Sequence, residues 1–184
     1  MLLLLVALLA PAQAQPGDLV FQTSRSAQSR AIQLATGSKY SHMGLVLMHD
    51  GALQVLEAGA TVRFTPLASW IARGLPSTFV VRRLRQPLDA AALARVEAAA
   101  KPLLGLPYDR HFGWSDERMY CSELVWKILK RALEVEVGAL ERLGDFDLSD
   151  AEVRRHLKAR YGDAVPTAEP VISPAAMFGS PLLR

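Results

Sequence analysis

Tyr120-Cys-Ser-Glu-Leu-Val-Trp-Lys-Ile-Leu129 is the stretch on which the reading of this chain turns. Cys121, Leu124, Val125, Ile128 and Leu129 recur at the i, i+3, i+4, i+7, i+8 spacing of one apolar helix face. The cysteine heads that face and points at whatever the helix packs on. At a helix start the backbone N–H groups lack intrahelical acceptors and the dipole is positive, so a thiol there is biased toward thiolate. The same N–H groups can hold the oxyanion of an attacked carbonyl. Glu123 falls off the apolar face and reads as a first-turn carboxylate favoured by the dipole.

A base for that thiol is sought among four histidines. Ser41-His-Met-Gly-Leu-Val-Leu47 predicts an apolar strand with His42 at its front, and Gly44, next on the same face, leaves room beside it. Asp50-Gly51 is a strong two-residue turn signal, so residues 42–48 and 53–58 are expected to form a hairpin. His111 lies in a loop ten residues before the cysteine and is the rival to His42. His49 at the turn reads as solvated, and His156, beside Arg154, Arg155 and Lys158, as a surface residue. Position favours His42.

The rest of the chain predicts one α+β domain. A strand is expected at 17–22, then a helix capped by Ser24 and stopped by Gly37. Thr65-Pro66 opens a short helix ending at Gly74, and 78–84 reads as a strand. Asp89 starts an alanine-rich helix to about Ala100, and Ser149-Asp-Ala-Glu152 has capping-box form ahead of a helix to Gly162. Ser173-Pro174 starts one more turn. No repeat or linker interrupts the 184 residues, a length that supports one real core.

Residues 1–15 read as a cleaved signal peptide. Met1 to Ala10 is an uncharged apolar run too short to span a bilayer, and Ala12-Gln13-Ala14 has the small-x-small form of a cleavage site. The working domain is then 16–184, periplasmic or secreted, with no stable membrane span after cleavage. A single cysteine forms no internal disulfide, and a free thiol in an oxidising compartment suggests chemistry. The formal net charge is +3, with basic residues interspersed among acidic ones. Arg82, Arg83 and Arg85 read as a solvated strand face, and no nucleic-acid partner is expected. The chain lacks CxxC, HExxH, a glycine-rich phosphate loop and a GxSxG elbow, so neither metal nor cofactor is expected.

Several motifs resemble one family in order. Gly17-Asp-Leu-Val-Phe21, Ala31-Ile-Gln-Leu-Ala-Thr-Gly-Ser-Lys-Tyr-Ser-His-Met-Gly44, Tyr108-Asp109, Tyr120-Cys-Ser-Glu-Leu-Val-Trp126, Asp145-Phe-Asp-Leu-Ser149 and Val171-Ile-Ser-Pro174 are similar to the YiiX/YebB-like family. These are circularly permuted relatives of the NlpC/P60 papain-like cysteine hydrolases. The resemblance implies a permuted papain-like α+β fold, an antiparallel sheet packed against helices, with histidine preceding cysteine in the chain. It implies Cys121 as nucleophile, His42 as base and Glu57 as the residue orienting the imidazole. Hairpin register agrees. Counting from Asp50-Gly51, Gly44 faces Glu57, which lies diagonal to His42 at roughly 7–8 Å between backbones. A one-residue slip would turn Glu57 outward, leaving an aspartate of the 109–117 loop as the alternative. The implied activity is hydrolysis of amide bonds in small peptides or peptidoglycan fragments. An acyltransferase or lipid hydrolase of the same fold, and a non-catalytic binding module, are the competing readings.

Overall fold

The Asp50-Gly51 turn sets the register of the sheet. In the computed structural model, which describes residues 14–184, both turn residues have positive φ, 49° and 74°. That geometry matches the twist of the two strands it joins. β1 (Leu19–Gln22) precedes α1 (Ser29–Thr36), and the hairpin is β2 (His42–His49) with β3 (Ala52–Ala58). His49 pairs with Ala52 and Leu45 with Leu56, the anticipated register. β4 (Val62–Pro66) follows, then α2 (Leu67–Ala72) and the edge strand β5 (Val80–Arg82). The sheet runs β4-β3-β2-β1-β5 with every pair antiparallel.

Strand alternation sends side chains to two cores. One face carries Leu19, Phe21, Met43, Leu45, Leu47 and Leu56. Against it pack α3 (Ala90–Ala100) and α4 (Cys121–Leu133), the latter through Leu124, Ile128 and Leu129. Each such fully buried side chain contributes about 1.5–3 kcal/mol. The other face carries Val20, Val46 and Val55 beneath Leu67 and Trp70 of α2. A two-stranded sheet, β6 (Glu141–Arg142) with β7 (Pro170–Val171), brackets α5 (Ala151–Tyr161), which packs on α1; α6 (Pro174–Phe178) closes the chain.

Some local expectations shift. α1 begins at Ser29, because Ser24 is held at the sheet by a bridge to Gly74 while its N–H donates to Ser41 Oγ at 2.9 Å. The cap of α5 is Asp150, which accepts from the Glu152 N–H at 2.8 Å, while Ser149 turns back to Asp147. β4 went unread. Val62 and Phe64 do alternate with Arg63 and Thr65, but five residues between a turn and a helix resemble a connection. Of the expected solvated face only Arg85 is exposed, while Arg82 and Arg83 are half-buried. Arg83 forks onto buried Asp18 at 2.6 and 2.8 Å, Arg82 lies over the Phe178 ring, and Arg85 donates to the Pro181 carbonyl. Together they clasp the C-terminal segment to the sheet edge. The apolar leader falls outside the described residues except for Ala14 and Gln15. Among the described residues no helix is long and apolar enough to cross a membrane.

Candidate active site

Two element starts and one strand end meet at the end of the sheet where β2 and α4 begin. β2 presents His42, α4 presents Cys121, and the end of β3 presents Glu57. His42 Nε2 lies 2.7 Å from Glu57 Oε2, and the imidazole is also hydrogen-bonded to Cys121. With Nε2 taken by Glu57, Nδ1 is the nitrogen left for the sulfur. The Trp70 ring lies alongside His42 at 5.7 Å between centroids and 25° between planes, which fixes the orientation of the imidazole.

Glu57 is fully buried, and an ion without partners there would be very costly. Its oxygens accept from Thr65 Oγ1 at 2.7 Å, from Trp70 Nε1 at 2.9 Å and from the Arg73 guanidinium, in addition to His42. Burial works to raise its pKa. The His42 hydrogen bond and charge, then Thr65 and Arg73, override that and hold it at about 2. For His42, burial works downward, but the bonds and charges of Cys121 and Glu57 push it up to about 9. Burial would raise the Cys121 thiol. His42, helped by backbone N–H groups of Met43 and Ser122, carries it below its ordinary value instead. A lowered thiol beside a raised imidazole favours thiolate and imidazolium at neutral pH.

The helix start is clamped on both sides of the cysteine. Ser122 Oγ donates to the Ile172 carbonyl at 2.7 Å, and Tyr120 Oη accepts from the Ile172 N–H at 3.0 Å. Glu123 does cap the first turn, its Oε2 accepting from the Tyr120 N–H at 3.2 Å. Although it lies off the apolar face, it is fully buried and paired with Lys127 at 2.7 Å; burial raises its carboxyl to about 7 despite that lysine. Asp109 accepts from the His111 N–H at 2.7 Å, closing its own turn. His111 is exposed, edge-on to Tyr161, and His49 stacks on Phe64. His156 departs from its expected surface place: it is half-buried, with Nε2 lacking a hydrogen-bond partner.

Space opens on both sides of the Cys121–His42 contact. On the sulfur side lies a cavity of about 100 Å³ walled by Ala31, Ile32, Leu143, Phe146, Val153 and Leu157. On the imidazole side lies a wide cleft of about 1450 Å³. Gln28, Tyr108, His156 and Arg160 border both. Tyr108 Oη accepts from Gln28 Nε2 at 2.7 Å, and burial, then the charge of Cys121, raise its pKa so that it keeps its proton. Thr65, Trp70, Arg73 and Gln28 escaped the sequence reading. Only Trp70 gave a signal, since a buried indole N–H needs an acceptor.

A permuted papain-like arrangement, histidine before cysteine, is thus present. The sequence profile described as permuted papain-like amidase enzyme, YaeF/YiiX, C92 family matches residues 13–184. The chain belongs to that family. It is 47% identical over 171 residues to the uncharacterized protein YiiX of Escherichia coli (strain K12), covering 93% of this chain and 85% of that protein. A crystal structure described as metalloprotein YiiX from Escherichia coli O157:H7 superposes with a TM-score of 0.90 at 48% identity, over 94% of this chain and 96% of the other. The fold is therefore the permuted papain-like one, and membership supports a cysteine hydrolase of amidase type.

Proposed function

We propose that the chain is an exported thiol amidase acting on small peptides or peptidoglycan fragments, with Cys121 as nucleophile, His42 as base and Glu57 as the positioning residue. The observation that carries the reading is His42 bridging Cys121 and the buried Glu57 carboxylate. The thiolate attacks the carbonyl carbon, and N–H groups at the start of α4 receive the developing oxyanion. Tyr108 supports this as a neutral O–H donor beside the sulfur. The imidazolium then gives its proton to the leaving nitrogen as the C–N bond breaks. Water, deprotonated by His42, releases the acyl group and restores the thiolate.

The apolar cavity against Cys121 favours a second reading, in which the acyl group is a hydrocarbon and the enzyme is a lipid hydrolase or acyltransferase. The metal in the name of the E. coli structure has no matching donor set here. Among the described residues no three His, Cys, Asp or Glu side chains gather to hold one, and the steps above use none.

The test is the pH profile of Cys121 alkylation by iodoacetamide. Its inflection should fall well below the value of about 8.5 for a free thiol, and Cys121→Ala should abolish turnover of peptidoglycan fragments or acyl esters while the protein stays folded. An ordinary thiol profile would favour the non-catalytic module.

A further inference from the structure

Resting on the thiol-hydrolase reading, we propose that the cleft on the His42 side is a subsite for an anionic group carried by the leaving half of the substrate, a carboxylate or a phosphate. The direction follows from the chemistry. After attack the acyl carbon stays on Cys121, so the acyl half extends from the sulfur; the leaving nitrogen takes its proton from His42, so the leaving half extends from the imidazole. Cys121 borders the apolar cavity and His42 borders the cleft. The two halves of the substrate therefore meet opposite chemistries.

The cleft is strongly cationic. Arg25, Arg73, Arg110, Arg118 and Arg160 line it, and its one acidic lining residue is Glu57, fully buried with its oxygens engaged. The whole chain carries a net charge of only +3, so this is a matter of placement and not of composition. Three of the five have duties in the fold. Arg73 donates to Glu57, Arg25 to the Gly74 carbonyl at 3.2 Å, and Arg160 to Gln28 Oε1 at 2.9 Å while lying over the Phe112 ring. Arg110 and Arg118 have no partner among the described residues.

The backbone that carries those two is pinned by a bridge. Tyr108 and Met119 form a parallel bridge, in which the Met119 N–H donates to the Pro107 carbonyl and the Asp109 N–H to the Met119 carbonyl, both at 3.1 Å. Arg110 and Arg118 flank that bridge. Guanidinium forks match carboxylate and phosphate oxygens two at a time. A cleft lined by one sign of charge also concentrates the opposite ion roughly 10-fold or more.

The test compares alkylation of Cys121 by iodoacetate and by the neutral iodoacetamide in the intact protein. The rate ratio, anionic over neutral, should fall about five- to ten-fold in the R110S/R118S variant and should depend less on salt there than in wild type. R30S/R95S, which removes two arginines that do not line the cleft, is the charge-matched control and should keep the wild-type ratio. Protection against iodoacetamide then locates the charge. N-octanoylglycine should protect wild-type Cys121 at lower concentration than N-octanoylglycinamide, with the gap closing in R110S/R118S. N-octanoyl-O-phosphoethanolamine protecting better than N-octanoylglycine would assign phosphate, and the reverse order carboxylate. An unchanged ratio in R110S/R118S, or equal protection by the charged and neutral compounds, would overturn the proposal. A sluggish iodoacetamide reaction in wild type would instead overturn the hydrolase reading on which it rests.

Discussion

A buried carboxylate persists as an ion only when donors fill its lone pairs, and Glu57 is filled by His42, Trp70, Thr65 and Arg73. Two outcomes follow for Glu57→Gln. Removing the negative charge takes away part of what holds His42 at about 9, so the alkaline limb of the Cys121 rate profile should move to lower pH. The rate near neutrality should drop roughly 10-fold while alkylation continues; an unmoved limb would show that Glu57 does not act through the imidazole. The second outcome is linkage. The carboxyl lies at about 2 in the fold against an ordinary value of 4.5, so its stabilisation is present above pH 4.5 and lost as pH falls through 2. That shift corresponds to about 3 kcal/mol, and wild type should lose that much more stability than Glu57→Gln in acid melts. Cys121 and His42 were legible because each stands at the front of an element with strong periodicity. Thr65, Trp70 and Arg73 were not, since only the turn from β4 into α2 brings them over the end of β3.

The hairpin of β2 and β3 shows how far an element can be read and where reading stops. Asp50-Gly51 fixes the register, and the register fixes the face, so His42 and Glu57 were bound to meet once the turn was placed correctly. Gly44 is the weak point of that element. A Cβ there would lie 2.3 Å from Val55 Cγ1 and 2.9 Å from the Leu56 carbonyl oxygen, the second being backbone that cannot swing aside. Gly44→Ala should therefore cost about 1–3 kcal/mol and lower the melting temperature by several degrees. It should also slow Cys121 alkylation, because the strand that moves carries His42. A variant as stable and as reactive as wild type would mean that the two strands separate freely. Element starts were harder to read. Ser24 and Ser149 look like caps in isolation, but Ser24 is held by Ser41 and Gly74 across the fold and Ser149 by Asp147. Local chemistry names a good cap without revealing which competing partner wins.

At the scale of the whole molecule, charges dispersed along the chain acquire opposite meanings. The dense group Arg82, Arg83, Arg85 is structural, while arginines as distant as 25, 73, 110, 118 and 160 share one cleft. No window of sequence contains that gathering, because α1, α2, α5 and the loop before α4 must first fold against the sheet. The same long-range view bears on the leader. Ala14 packs with Val20 and Val46, and the Gln15 N–H donates at 2.8 Å to Asp18 Oδ2, on the carboxylate that Arg83 also grips. Cleavage after Ala14 would turn that amide nitrogen into an α-ammonium facing a fully buried carboxylate, adding a second cation to a pair now held by one arginine. The exported protein should accordingly begin at Gln15 or Pro16 by intact mass. A chain beginning at Gln15 should melt higher than the same chain acetylated at its N-terminus, and Asp18→Asn should erase that difference. Recovery of exported protein that retains Met1 would refute the processing, and equal melting of the free and acetylated forms would refute the ion pair.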